Sequence, residues 1–204
     1  MKKLICTLLA LAIMLCSLAM AEGREIRPMV SEIDLASPED GIYHAVFEPD
    51  ALADGALKFD IYTEDCYDIV DIDTMAVGDT FYFGGLDFEI ESVARDEDGD
   101  VLINGGIDEG GFDLRAHDED NCWKLALEDD YTTFTRYGET TLPLDDDVTF
   151  TDAWDIDNEP VIVNGAQAVA DAIHGTEMTV FIYANTTVRV EGGKIVEIVR
   201  EYMP

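Results

Sequence analysis

Two short loops rich in aspartate carry the most specific chemistry that the sequence indicates. The first loop places Asp96, Asp98 and Asp100 at alternating positions, and a similar pattern recurs at 155–159. Ca²⁺ prefers six to eight oxygen ligands, and carboxylates at alternating positions of one turn can supply several of them. Neither loop has the glycine and glutamate spacing of an EF-hand. We therefore predict a calcium site at the first loop, with a solvated hairpin turn as the alternative, since Asp and Gly are common in turns without any ligand.

The serines, histidines and carboxylates do not form a recognisable catalytic motif. Three serines lie beyond the first 21 residues, namely Ser31, Ser37 and Ser92, and none stands in a Gly-x-Ser-x-Gly elbow. The three histidines are far apart in the sequence, and no His-Glu-x-x-His helix occurs. Pairs of carboxylates can hydrolyse glycosidic bonds, but among 45 acidic residues the sequence singles out no pair. We expect a chain that is not an enzyme, with a carboxylate-dependent glycan hydrolase as the alternative.

The two tryptophans have competing interpretations. Trp154 lies in an acidic stretch, and an indole beside carboxylates is typical of sugar-binding surfaces, whereas packing in the core is the alternative. Trp123 follows Cys122, where an indole more often packs in the core beside a disulfide.

The first 21 residues have the pattern of a cleavable secretory signal peptide. Residues 1–3 carry two lysines, an apolar run extends over 4–15, and Ala19 and Ala21 provide the small residues of a cleavage site. An uncleaved anchor and a lipoprotein attached at Cys16 are the competing interpretations. We expect cleavage after Ala21, no membrane-spanning segment afterwards, and a bacterial protein that is secreted or extracytoplasmic, at the cell surface or in the periplasm.

Cleavage would leave two cysteines, Cys66 and Cys122. Two cysteines in an exported domain most often form one disulfide, so we predict a Cys66–Cys122 bond, with two buried thiols as the alternative.

The charge balance limits the partners. The formal net charge is −33 at pH 7, and no basic stripe offsets it. Such a charge repels nucleic acid and anionic membranes. We expect an unknown extracellular protein or a glycan as the partner.

The pattern of short apolar stretches separated by Asp, Gly and Asn predicts a mostly β fold, an antiparallel β-barrel or sandwich. Predicted strands occupy 42–47, 56–62, 80–83, 86–90, 101–103, 112–115, 122–127, 131–136, 148–151, 160–163, 179–191 and 194–202. Asp98-Gly99 and Gly192-Gly193 mark hairpin turns. One short helix is expected near residues 165–174, over Ala166–His174, with Asn164 as its N-cap and Gly175 at its end.

The domain organisation follows from these patterns. Residues 22–40 contain two prolines and little periodicity, which predicts a flexible N-terminal arm. A single all-β domain is expected over 41–204. The sequence thus favours a secreted, non-catalytic extracellular β-module that acts by binding or structural association and is stabilised by calcium.

Overall fold

The computed structural model describes residues 23–30, 32–117, 121–127, 131–176 and 181–202. The predicted signal peptide, 1–21, and Ser31 lie outside the described residues. In the part of the chain that the structure describes, no helix is long and apolar enough to cross a membrane. The mostly β fold class is confirmed, because the described elements are fourteen strands, two α-helices and two short 3₁₀ turns.

The strands are numbered in chain order. They are β1 (Glu25–Ile26), β2 (Gly41–Val46), β3 (Leu52–Ala53), β4 (Ala56–Glu64), β5 (Thr80–Phe83), β6 (Leu86–Glu89), β7 (Val93–Arg95), β8 (Val101–Ile103), β9 (Phe112–His117), β10 (Cys122–Leu125), β11 (Phe134–Ala153), β12 (Val161–Asn164), β13 (Thr186–Glu191) and β14 (Lys194–Glu201). The helices are α1 (Ile69–Thr74) and α2 (Ala166–His174).

The chain folds into two compact units, each with its own apolar core. The first, which we call the disulfide unit, takes its described residues from 23–29 and 66–131. The second, which we call the barrel unit, takes its described residues from 30–65 and 132–202. The sequence patterns suggest one domain over 41–204, because they show where strands occur and not which strands pack together.

The disulfide unit contains two small sheets. Their strand orders are β1-β5-β6 and β10-β9-β8-β7. Part of the range expected to form a flexible arm, 22–40, lies in this unit, where β1 pairs in parallel with β5 and Ile26 is fully buried. The unit's core has eleven members, which are Ile26, Tyr67, Ile72, Met75, Phe81, Ile90, Val101, Ile103, Leu114, Trp123 and Leu125.

Helix α1 was not predicted. Its residues are mainly β-branched or acidic, which gives little helical propensity. The helix begins because the carboxylate of Asp68 accepts the backbone N–H groups of Val70 (2.7 Å) and Asp71 (3.2 Å), and because Ile72 is buried.

The barrel unit closes five strands into a ring. The sheet order is β12-β11-β14-β13-β2-β4-β3, and an additional pairing of β11 with β4 completes the circle. Strand β11 makes this possible because its residues 134–143 pair with β4 and its residues 144–153 pair with β14. The sequence suggested two separate strands here, and the prediction was wrong: irregularities between Arg136 and Gly138 and between Leu144 and Thr149 bend one long strand.

Most pairings are antiparallel, as predicted, but β1–β5 and β11–β14 are parallel. The inside of the ring is apolar. Seventeen buried residues form its core, among them Ala45, Phe47, Leu57, Phe59, Ile61, Val148, Phe150, Phe181, Val188, Val190, Ile195 and Ile198.

Helix α2 packs on this core and confirms the predicted helix. Its apolar face buries Val169 and Ile173, and Gly175 follows its last residue. The predicted cap at Asn164 was wrong. Asn164 ends β12, where its side-chain oxygen accepts a hydrogen bond from Thr149 Oγ1 at 3.0 Å, and Gly165 takes the cap position with φ 91°.

Both predicted hairpin turns are confirmed. Gly192 and Gly193 have φ of 58° and 75°, which fits a turn that requires two positive φ angles. Asp98-Gly99 lies in the turn between β7 and β8.

Candidate functional site

The first acidic loop is held by its own hydrogen bonds. The Oδ1 atom of Asp96 accepts the backbone N–H groups of Asp98 (3.0 Å) and Asp100 (2.9 Å). Asp100 in turn receives Arg115, whose Nη2 and Nε lie 2.8 Å and 3.1 Å from its Oδ2 atom. Two of the three predicted calcium ligands therefore already have partners on the protein.

The second acidic loop is also held by hydrogen bonds between its own residues. Asp155 accepts the backbone N–H of Asp157 at 3.0 Å and the side-chain amide N–H of Asn158 at 2.7 Å. Within the described ranges, no group of three or more His, Cys, Asp or Glu residues is arranged to hold a metal ion. The calcium site at Asp96, Asp98 and Asp100 stays a prediction, and an ion there would compete with Arg115 for Asp100.

The predicted disulfide is confirmed. Cys66 and Cys122 are bonded, with their Cα atoms 5.7 Å apart. The bond lies beside backbone pairing between Tyr67 and Trp123, whose N–H and C=O groups bond each other at 2.8 Å and 2.9 Å. Trp123 is buried in the same core, so the disulfide fixes a structural region of this unit.

A cleft on the barrel unit is the best candidate for a binding site. It has a volume of about 320 Å³, within the range of small-ligand pockets. Its lining includes the rings of His44 and Tyr62 and the carboxylates of Glu32, Glu39 and Glu64.

The strand alternation explains why these rings lie outside the barrel. Ala45 and Ile61 are fully buried in the ring of strands, so their neighbours His44 and Tyr62 project from the opposite face. The register of β2 and β4 places His44 directly opposite Tyr62. The two rings thus share one face and one level of the sheet.

Two further rings fix this pair in place. Tyr183 stacks on Tyr62 with ring centroids 4.7 Å apart, and Phe134 lies 4.5 Å from His44 and 5.3 Å from Tyr183. The Nδ1 atom of His44 lies 2.8 Å from the backbone oxygen of Tyr183. Four aromatic side chains therefore form one half-buried cluster beside the cleft.

The lining of the cleft is acidic. Among the described residues that line it, none is Lys or Arg. Burial raises the pKa of Tyr43, and the nearby charges of Glu39 and Asp40 raise it further. The phenol therefore stays protonated, and it donates to the backbone oxygen of Glu39 at 2.8 Å. Such a surface offers hydrogen-bond acceptors and ring faces to a ligand that brings hydroxyl or N–H donors.

One buried carboxyl lies next to this region along the chain, just after β4, but does not line the cleft. Asp65 is 1% exposed, and neither of its oxygens has a hydrogen-bond partner. Burial raises its pKa, the nearby Thr135 and Thr133 side chains oppose this shift, and Glu64 adds to it. Because it is closed to solvent, Asp65 is poorly placed to act on a substrate.

Sequence reasoning missed this cleft. His44 and Tyr62 occur in stretches that were correctly predicted as strands, but the register that pairs them is set by turns and bulges elsewhere. Trp154, the ring that the sequence did single out, is 38% exposed and lies at the end of β11, where the Arg200 guanidinium is 5.7 Å from its ring.

Comparison with known proteins found no matching family model, no matching curated protein and no matching solved structure.

Proposed function

We propose that the chain is a secreted, non-catalytic β-module that binds an extracellular glycan or protein through the cleft of the barrel unit. The observation that carries the proposal is the combination of a cleft of about 320 Å³, a cluster of four aromatic rings in contact and three lining glutamates. Aromatic faces and carboxylates together suit ligands that present both C–H surfaces and hydrogen-bond donors.

The fold supports binding on this face. Five-stranded barrels of the OB type bind oligosaccharides on an outer face of their strands, and the cleft lies on the outer face of β2 and β4. The charge of −33 disfavours the nucleic acids that such barrels also bind.

A non-catalytic role is favoured by the position of the buried carboxyl. A glycan hydrolase needs two carboxyl groups flanking the same bond, one of them with a raised pKa. Among the described residues, the carboxyl whose pKa is raised is that of Asp65, which is enclosed and does not line the cleft. The hydrolase remains the second candidate because Glu32, Glu39 and Glu64 line one cleft.

Secretion and calcium belong to the same proposal. The signal-peptide pattern of residues 1–21 supports export, and the confirmed disulfide suits an oxidising compartment. Calcium at Asp96, Asp98 and Asp100 would stabilise the disulfide unit without taking part in the cleft.

The experiment is a binding screen with the mature chain. Probes are a printed glycan array and a set of immobilised extracellular proteins, with affinities measured afterwards by calorimetry. We expect Tyr62→Ala to weaken binding at least tenfold, because it removes a ring that lines the cleft, and we expect the exposed Tyr131→Ala to leave it unchanged. Equal affinities for both variants would refute the proposal that the cleft binds the ligand. Release of reducing ends from a bound glycan would show that the chain is a glycan hydrolase instead.

A further inference from the structure

Strand β12 forms an open edge of the barrel unit. It stands at one end of the sheet order, and among the described residues it pairs with β11 alone. An edge strand presents unpaired backbone donors and acceptors, which proteins usually protect with charges, proline or a covering segment.

The hydrogen-bonding pattern identifies the backbone groups that face outward. Gly165, just after β12, donates its N–H to the backbone oxygen of Val148 in β11 at 2.8 Å. Hydrogen-bonded pairs alternate along an antiparallel ladder, so Val163 and Val161 also direct their backbone groups toward β11. The N–H and C=O groups of Ile162 and Asn164 therefore point away from the sheet.

The side chains along this edge are apolar and exposed. Val161 is 60% exposed and Ile162 is 63% exposed, and because they are adjacent they cover both faces of the strand. Ile156, in the preceding loop, is 70% exposed, and the rings of Trp154 and Tyr202 lie 6.3 Å apart at the neighbouring strand ends. Both faces of the edge can thus contact the side chains of an added strand.

The surrounding charge indicates which chain could bind. Residues 151–165 contain four acidic residues and no Lys or Arg. Arg200 neutralises Asp152, with Nε 2.9 Å from its Oδ1, but the described ion pairs include none of Asp155, Asp157 and Glu159. A second copy of this chain would bring the same negative charge to the contact, and like charges across an interface cost several kcal/mol.

We propose that the free edge of β12 is a docking site for an extended basic segment of a partner protein, in which Lys or Arg alternates with β-branched residues. The segment adds as a further strand, exchanging hydrogen bonds with Ile162 and Asn164. Because side chains alternate along a strand, its apolar side chains all lie on one face of the sheet, where they pack beside Ile162, and its cations lie on the other face and are attracted by the acidic loop. This surface shares no residue with the cleft, so the two can be tested separately.

The test uses three fluorescent peptides of the same length. The first alternates Lys with Val, the second alternates Glu with Val, and the third repeats the first sequence with every backbone amide methylated, which removes the donors that a strand needs. Binding to the mature chain is followed by fluorescence anisotropy, and the site is mapped by amide chemical shifts.

We expect the Lys peptide to bind with shifts centred on Ile162 and Asn164, and its affinity to fall as salt rises. The Glu peptide and the methylated Lys peptide should bind at least tenfold more weakly. Equal binding of the methylated peptide would show attraction by charge without strand addition and would overturn the proposal.

A matched pair of variants tests the strand edge directly. Ile162→Pro removes a backbone N–H that points away from the sheet, and edge strands tolerate proline at such a position. Ile162→Thr keeps the backbone N–H. We expect the proline variant to bind the Lys peptide at least tenfold more weakly than the unmodified chain does. The threonine variant should bind it less than threefold more weakly, and Tyr62→Ala should leave the affinity unchanged. Equal losses for both Ile162 variants would contradict the proposal, and so would sedimentation of the unmodified chain as a dimer that Ile162→Pro dissociates. If the proline variant does not fold, the methylated peptide decides the question.

Discussion

The buried carboxyl of Asp65 should make the protein less stable at neutral pH than an amide would. The side chain is 1% exposed and its two oxygens have no partner at hydrogen-bond distance, while the Thr135 and Thr133 side chains lie near enough to lower its pKa in part. Burial raises its pKa in the folded state above the value of about 3.9 that an unfolded chain has. The protonated form is therefore favoured by folding.

The sign of the pH dependence follows from this shift. The stability that the protonated carboxyl contributes is fully present below the unfolded pKa and is lost as the pH rises through the folded pKa. As the pH rises above the unfolded pKa, the folded protein either holds a buried charge or keeps a proton that the unfolded chain has released, and both lower its stability. Asp65→Asn, which is neutral throughout, should therefore become stabilising relative to the unmodified protein as the pH rises from about 4 toward 7, by up to about 1.4 kcal/mol for each unit by which folding raises the pKa of Asp65, and should have close to no pH-dependent effect near pH 4.

The assay is urea unfolding at several pH values between these limits, followed by circular dichroism. Asp146→Asn serves as the control, because it removes the same charge from an exposed position of the same unit. Subtracting its effect leaves the part that depends on burial. A destabilised Asp65→Asn protein near pH 7, or a difference from the unmodified protein that does not grow with pH, would refute the reasoning and show that the carboxylate has partners in solution.

Two further predictions concern the disulfide unit. Replacing both Cys66 and Cys122 by Ala should lower the free energy of unfolding by up to roughly 4 kcal/mol, because the bond closes a loop with a sequence separation of 56 residues; a urea midpoint equal to that of the unmodified protein would contradict this. Millimolar calcium should raise the thermal midpoint relative to a chelator if the ion binds the native state alone, and Asp98→Asn should reduce that rise; an unchanged midpoint in the unmodified protein would remove calcium from the proposal.

Local features of the fold were predictable from the sequence because they depend on a few neighbouring residues. Gly192-Gly193 specifies its turn through positive φ, and the apolar spacing of α2 specifies its buried face through Val169 and Ile173. The disulfide followed from a count of two cysteines. In each case the physical cause lies within a short segment or a pair.

Features that depend on register were not predictable. The closure of the barrel requires β11 to leave β4 and continue beside β14, and the sequence 134–153 shows only a strand-like pattern with an apparent break. The cleft depends on the same register, since His44 meets Tyr62 only because β2 and β4 align at that level. The acidic loops were found by composition, but composition does not show that Arg115 would bind Asp100.

The placement of the few cations connects the two proposed binding surfaces of this acidic chain. With 12 Lys and Arg against 45 acidic residues, most carboxylates have no cationic partner, so the negative potential is strongest where no cation is near. Arg24, Arg95 and Arg115 pair with carboxylates of the disulfide unit, and Arg136 and Arg200 pair with carboxylates of the barrel unit. The described ion pairs include neither the cleft residues Glu32 and Glu39 nor the acidic residues of the loop before β12. Carboxylates outside the described ion pairs thus coincide with half-buried aromatic side chains at the cleft and with exposed aliphatic side chains at β12, which is why we expect a partner that carries hydrogen-bond donors or cations to bind at these two places.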